Sequence, residues 1–181
     1  CFIAKCNDIK LQRHYSKQLL RYSIKNVFKL EIEDEAIMRN QYGKPSFKNK
    51  EHIKFNISHC NGLIACAVGL EEMGVDVENI RSFDDYVVIR VCNMKEINDI
   101  YSSHDSKRTF FTYWTMKESL GKVLGVGLHY PLRENEFIKN GDGYLCNYEG
   151  LKIKNYEIDN KFSLSICTDK NEEIILRGVN L

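Results

Sequence analysis

Residues 53–78 read IKFNISHCNGLIACAVGLEEMGVDVE, and the pattern inside this stretch decides the class of fold. Ile53-Lys54-Phe55-Asn56-Ile57 alternates apolar with polar, Leu63 to Gly69 is an unbroken apolar run, and Val75-Asp76-Val77-Glu78 alternates again. A period of two marks a strand with one face buried, and a short continuous apolar run fits a strand buried on both faces. Asn61-Gly62 between the first two segments is a strong hairpin signal, so three short strands are expected here.

Outward from these strands the period changes. Leu11, Tyr15, Leu19, Tyr22 and Phe28 recur at near-helical spacing, which predicts an amphipathic helix from about Leu11 to Phe28. Tyr42-Gly43-Lys44-Pro45 is a turn in which Pro45 biases Lys44 toward an extended backbone. Beyond Arg81, helices are predicted around Asp84 to Val91 and from Asn93, where Glu96 three residues on makes a capping pair. A long helix follows from about Ser106 to Leu124, marked by Phe110, Phe111, Trp114, Leu120 and Val123 and stopped by Gly125 and Gly127. Strands are expected at Phe137-Ile138, Tyr144 to Tyr148, Ile153 to Ile158, Phe162 to Ile166 and Ile174 to Leu176, with a hairpin turn at Asn140 to Gly143. Helix followed by antiparallel strands in each half gives an α+β class, and two lobes of similar size fit it.

The 181 residues carry 26 Lys and Arg against 25 Asp and Glu, so no whole-protein field draws this chain to nucleic acid or an anionic membrane. Leu63 to Leu70 is the longest apolar stretch and is far too short to span a bilayer. Seven cysteines offer no CxxC pair and no ligand cluster with histidine, which argues for core thiols rather than disulfides or zinc. Cys1 to Lys10 lack the layout of a signal peptide, and a cytoplasmic monomer is expected. The chain opens without Met, from which we expect residues upstream of Cys1.

Asp76 and Glu78 point to the same side of their strand, with Cα atoms roughly 6.5 to 7 Å apart. A divalent cation with oxygen ligands, such as Mg²⁺, would relieve their repulsion. An exposed strand edge would carry the same pattern for no chemical reason. Trp114, Glu118 and Lys122 stand at i, i+4 and i+8 on one helical stripe. They read either as a surface ion pair or as a part-buried face whose Glu118 is a third oxygen ligand and whose Lys122 holds a phosphate. His59, at the mouth of the hairpin, and Lys44, in its turn, are structural residues when taken singly. Set beside three acids, they are what several phosphates and one magnesium require.

Together these residues resemble the surfactin-synthetase-activating type of 4′-phosphopantetheinyl transferase over most of the chain. The resemblance rests on Gly43-Lys44-Pro45, Asn56-Ile57-Ser58-His59, Gly74-Val75-Asp76-Val77-Glu78 and the Trp114 to Lys122 helix, in that order and at similar separations. It implies two similar lobes, residues 1–73 and 74–181, each a small antiparallel sheet packed with helices, and an active site in the cleft between them. It implies that Asp76, Glu78 and Glu118 hold Mg²⁺ against the pyrophosphate of coenzyme A, which Lys122 also contacts. Lys44 and His59 would bind the nucleotide 3′-phosphate, joined by Arg13. Glu96 stands where the family has an acid that serves as a base.

The activity so implied is Mg²⁺-dependent transfer of 4′-phosphopantetheine from coenzyme A to a serine of an acyl or peptidyl carrier protein, releasing adenosine 3′,5′-bisphosphate. Glu118, Glu96 or a water on the metal could take the serine proton. Arg81, Arg90 and Lys107 are available to dock an acidic carrier, and each also reads as a solvated charge. Two other classes stay open. A metal-dependent nuclease or phosphodiesterase uses the same residue types, although the neutral charge and the lack of a basic tract count against it. A coenzyme A binding module would need Lys44 and His59 but not three acids.

Overall fold

The computed structural model describes residues 1–32, 37–126 and 131–181. Gly127, expected to help stop the long helix, lies outside them. Among the described residues two larger, mostly antiparallel sheets, a two-stranded hairpin and four α-helices make up the fold, in the α+β class that the sequence predicts.

The first sheet has the order β11 (Arg177–Val179), β1 (Phe2–Cys6), β5 (Gly62–Gly69), β4 (Lys54–Cys60). Asn61-Gly62 makes the two-residue turn between β4 and β5, since Cys60 pairs with Leu63. Gly62 takes a positive φ of 104°, which its missing side chain allows. The unbroken apolar run of β5 is explained by its two neighbours. Ile64 and Cys66 face Leu19, Leu20 and Ile24 of helix α1 (Gln12–Phe28), while Leu63, Ala65 and Ala67 face the second sheet.

The second sheet has the order β6 (Met73–Asn79), β10 (Phe162–Asp169), β9 (Leu151–Ile158), β8 (Gly143–Cys146), β7 (Phe137–Asn140). Val75 and Val77 of β6 join Phe162, Leu164 and Ile166 of β10 in the core shared with β5. The outer face of this sheet is covered by α4 (Ser106–Leu124), whose Met116, Leu120 and Val123 pack with Phe137, Ile153 and Cys167. Helices α2 (Asp85–Val91) and α3 (Met94–Ser102) close over Phe110 and Phe111 of α4. The capping pair expected at the start of α3 is present in both directions, Glu96 N–H to Asn93 Oδ1 and Asn93 N–H to Glu96 Oε2, each 2.9 Å. A small hairpin, β2 (Ile37–Arg39) and β3 (Pro45–Phe47), brackets the Gly-Lys-Pro turn.

The strand expected at Ile174 to Leu176 is corrected to Arg177–Val179. Ile174 and Leu176 pack their side chains on the shared core without ladder partners, and pairing with β1 begins only at Arg177 opposite Phe2, in parallel. β1 and β11 are thus neighbours in one sheet. All seven cysteines are free, four of them buried. Among the described residues no helix is long and apolar enough to cross a membrane.

Candidate active site

Strands β4 and β6 lie at the edges of their two sheets and meet without forming a ladder. An edge strand leaves every second N–H group unpaired. On β6 these are taken by side chains of β4: Val75 N–H donates to Asn56 Oδ1 at 2.9 Å and Val77 N–H to Ser58 Oγ at 3.3 Å. The two-residue spacing of Asn56 and Ser58 matches the two-residue repeat of the edge they satisfy. This junction fixes the position of Asp76, whose side chain stands between the two donors' positions on β6.

Asp76 is 5% exposed, and its Oδ1 accepts from Ser58 Oγ at 2.9 Å and from Lys122 Nζ at 2.7 Å. Lys122 Nζ also donates to Ser58 Oγ and to Val75 O, both at 3.0 Å. Helix α4 can bring Lys122 so close because residue 74 is glycine. A Cβ there would lie 1.9 Å from Ser119 O and 2.6 Å from Val123 N, both backbone atoms of α4.

The other two acids of the expected triplet gather around Asp76 electrostatically. Burial raises the proton affinity of Glu118, the Asp76 carboxylate raises it further, Lys122 offsets part of this, and Glu78 adds to the repulsion. The Cys60 thiol is pushed up to about 12, by burial first and then by Glu78 and Asp76. Glu78 itself is turned to Arg81, 2.9 Å away. Asp76 Oδ2 is buried with no hydrogen-bond partner among the described residues. Among those residues no three His, Cys, Asp or Glu side chains form a set that could hold a metal ion as they stand, Asp76 being paired with Lys122 and Glu78 with Arg81.

A cavity of about 470 Å³ opens beside this cluster. Arg13 and Ser16 of α1, Lys44, His59 at the end of β4, and Glu118 and Lys122 of α4 all line it. Lys44 is aimed by its turn: Asn40 Oδ1 accepts the N–H groups of Tyr42 and Lys44 at 2.9 Å each, and Asn40 Nδ2 reaches Gly125 O at the end of α4. The Lys44 ammonium donates to Val123 O at 2.8 Å and pairs with Glu72 at 2.5 Å. Asp76, Glu78 and Glu96 are outside the lining. Glu96 is 3% exposed and forms an ion pair with Lys117, itself 1% exposed, at 2.9 Å. Its function in the structure is to cap α3 and balance that lysine.

Two further cations of the lining, Lys17 and Arg39, escaped the sequence reading. Lys17 sits one helical turn beyond Arg13, a spacing that would have signalled a shared face. Arg39 comes from β2, where no strand was expected, and its guanidinium donates to Gly43 O at 2.8 Å. Of the cations suggested for docking, Arg90 and Lys107 are exposed, while Arg81 is held by Glu78 and lies 5.1 Å from the centre of the Phe111 ring.

Asp76, Glu78, Glu118 and Lys122 lie within residues 72–172, which match the family model described as the 4′-phosphopantetheinyl transferase superfamily, while the remaining cations of the cavity come from the residues before it. The chain belongs to this superfamily and is an enzyme of the phosphopantetheinyl transferase class. It is 27% identical over 183 residues to 4′-phosphopantetheinyl transferase Sfp of Bacillus subtilis (strain 168), covering 92% of this chain and 82% of that one. It is 30% identical over 124 residues to 4′-phosphopantetheinyl transferase gsp of Aneurinibacillus migulanus, covering 67% and 52%. Among solved structures, the holo-[acyl-carrier-protein] synthase of Thermotoga maritima superposes on 56% of this chain and 64% of its own, with a TM-score of 0.46 and 15% identity.

Proposed function

We propose that this enzyme transfers the 4′-phosphopantetheine arm of coenzyme A to a serine of an acyl or peptidyl carrier protein, with Mg²⁺, and releases adenosine 3′,5′-bisphosphate. One observation carries the reading. Arg13, Lys44, His59, Glu118 and Lys122, drawn from distant parts of the chain, line a single cavity. Its lining joins residues before Met73 with residues after it; lobes 1–73 and 74–181 are proposed with the site between them, although the last strand β11 returns to the sheet of the first. A monomer is proposed with it.

The donor chemistry fits a hard divalent cation. Asp76, Glu78 and Glu118 offer only carboxylate oxygens, Asp76 Oδ2 is buried without a partner among the described residues, and burial with the neighbouring carboxylates raises the proton affinity of Glu118, while Asp76 and Glu78 would exchange Lys122 and Arg81 for the cation. These three side chains would hold Mg²⁺, which when bound supplies positive charge against the pyrophosphate of coenzyme A.

Around it the side chains have separate tasks. Lys122, on the cavity wall, stabilises the charge of the leaving phosphate. Lys44, His59 and Arg13 bind the nucleotide 3′-phosphate through charge-assisted hydrogen bonds. Glu118 is the candidate acceptor for the serine proton, because it lines the cavity. Glu96, capped and ion-paired outside the lining, is the weaker candidate for that task.

The test is mass spectrometry of an apo carrier protein incubated with the enzyme, coenzyme A and Mg²⁺. The carrier gains the mass of one phosphopantetheine, and Asp76→Ala abolishes the gain. Unmodified carriers of the fatty acid, polyketide and nonribosomal peptide types, with folded enzyme present, would sink the reading.

A further inference from the structure

Three polar side chains stand in one row across the second sheet. Asp76 of β6 is the register partner of Ser165 on β10, and Ser165 is that of Asn155 on β9. Residues so paired point to the same side of a sheet, here the side that α4 covers. Ser163, two positions from Ser165, shares that side and pairs with Glu78. Asp76 and Glu78 thus share a face with Asn155, Ser163 and Ser165, to which the reading above gives no task and which stand outside the cavity lining.

Thr115 of α4 closes this group from the helix side. The Asn155 amide donates to Ser163 Oγ and to Ser165 Oγ, both at 2.9 Å. The two serines donate to Thr115 Oγ1 at 3.0 and 2.8 Å, and Thr115 donates to the Phe111 carbonyl at 2.9 Å. Every hydrogen of the amide and of the three hydroxyls then has an acceptor, and the Thr115 oxygen accepts its full two. Thr115 and Ser165 are 0% exposed and Ser163 is 2% exposed, so a slide of α4 along the sheet would leave buried hydroxyls unpaired. The apolar contacts of Met116, Leu120 and Val123 with Phe137, Ile153 and Cys167 carry no such direction.

Thr115, Glu118 and Lys122 follow at i, i+3 and i+7 on one face of α4. Glu118 therefore stands between two polar anchors, Thr115 on Ser163 and Ser165, and Lys122 on Asp76. The reaction proposed above draws on Lys122 for the leaving phosphate. Thr115 has no second task, so its anchor holds while Lys122 is engaged with substrate. We propose that Asn155, Ser163, Ser165 and Thr115 are positioning residues for the transfer: their closed set of hydrogen bonds fixes where α4 stands on the second sheet, and so where Glu118 stands against Asp76. The assignment rests on the functional reading above.

Packing and positioning separate in a variant that removes every polar atom of the set together. Thr115→Val, Asn155→Leu, Ser163→Ala and Ser165→Ala combined strand no hydroxyl, so this variant melts close to wild type, whereas Thr115→Val alone strands two serine hydroxyls and melts lower. The fourfold variant nonetheless modifies the carrier with kcat lowered about tenfold, since misplacement by about 1 Å costs on the order of 100-fold. Its KM for coenzyme A is unchanged, because Arg13, Lys44 and His59 stand on other elements. Thr115→Ser, which keeps the hydroxyl, retains wild-type kcat. Crystal structures of wild type and the fourfold variant read the position without a carrier: the Cα separation of Glu118 and Asp76 differs by more than about 0.5 Å, the tolerance of a catalytic constellation.

A kcat that recovers together with the melting temperature, a raised KM at wild-type kcat, or a Thr115→Ser enzyme as slow as Thr115→Val would overturn the proposal. If the fourfold variant does not fold, Thr115→Val against Thr115→Ser, assayed well below their melting temperatures, decides by the same split of kcat from KM. A displaced α4 in an enzyme that modifies no carrier leaves the positioning role standing and removes the transfer reading, whereas an unmoved α4 in an active enzyme removes this proposal alone.

Discussion

Lys122 Nζ lies 2.7 Å from Asp76 Oδ1, and this contact joins the last turn of α4 to the middle of β6. It belongs to a tight set of polar contacts, since the same ammonium reaches Ser58 Oγ on β4 and the Val75 carbonyl on β6. One side chain therefore ties together the edges of both sheets and the helix that carries Glu118. Stability and site geometry are coupled here, and each can be perturbed separately.

Lys122→Met removes the cation from a carboxylate that is 5% exposed and has one oxygen already without a partner. Breaking such a pair from one side costs about 3 kcal/mol, because the remaining charge stays buried. Denaturant unfolding should show a lower midpoint at constant slope. Added Mg²⁺ should raise the melting temperature of this variant more than that of wild type, since the acids then lack their lysine. An equal rise in both would argue against a cation site at Asp76.

Gly74→Ala tests the close approach of strand and helix. The new methyl would overlap Ser119 O and Val123 N, which are backbone and cannot rotate away, so α4 must move outward. Overpacking of this kind costs about 1–3 kcal/mol. The larger effect falls on activity, because Glu118 and Lys122 travel with the helix while Asp76 does not. A displacement of about 1 Å at reacting groups costs on the order of 100-fold in kcat/KM. Gly178→Ala, where nothing lies within 4 Å, is the control and should change stability by less than about 0.5 kcal/mol.

The strands from β4 to β6 and the helices were legible because burial imposes a period of two on one and 3.6 on the other. Phe2–Cys6 carried the same signal, with Phe2, Ala4 and Cys6 buried and Lys5 exposed, but was not read as a strand. At Ile174 to Leu176 apolar residues were mistaken for pairing, although side-chain burial and ladder formation are separate events. Lys44 and His59 were legible as members of a motif. Lys17 looked like any charge on a solvated helix, and Ser16 like a neutral interior residue, because only the folded wall sets them beside Arg13. The purpose of Asn56-x-Ser58 depends on the edge of a different sheet and so could not be read from β4 alone.

Glu96 and Lys117 form a buried pair whose members depend on each other. Lys117 Nζ also donates to Leu132 O at 2.7 Å, and Glu96 Oε1 has no partner among the described residues. Glu96→Gln leaves the ammonium without a counter-charge and should cost about 3–5 kcal/mol. Replacing both partners, Glu96→Leu with Lys117→Met, removes the desolvated charges together and should return to within about 2 kcal/mol of wild type, the remainder reflecting the lost cap on Asn93. Urea titration of the single and double variants measures the coupling. Strictly additive losses would show that the two charges do not balance one another.

Glu72 bridges Lys44, at 2.5 Å, and Lys54, at 3.0 Å. Burial alone would raise its proton affinity, but the hydrogen bonds from the two lysines outweigh this and hold the carboxyl below its usual 4.5. A carboxyl depressed on folding stabilises the protein fully above its unfolded value, and that contribution is lost as pH falls through the folded value. Wild type should therefore lose more stability than Glu72→Gln when the pH is taken below 4.5, and the two curves should run parallel at neutral pH. The effect is small, since the Glu72 side chain is half exposed and screened by solvent. The same substitution removes a negative charge from beside Lys44. At neutral pH and low salt Glu72→Gln should bind adenosine 3′,5′-bisphosphate more tightly than wild type, and the difference should vanish at high salt, where screening reaches the cavity mouth. Weaker binding at both salt levels would mean that Glu72 serves to orient the lysine more than to neutralise it.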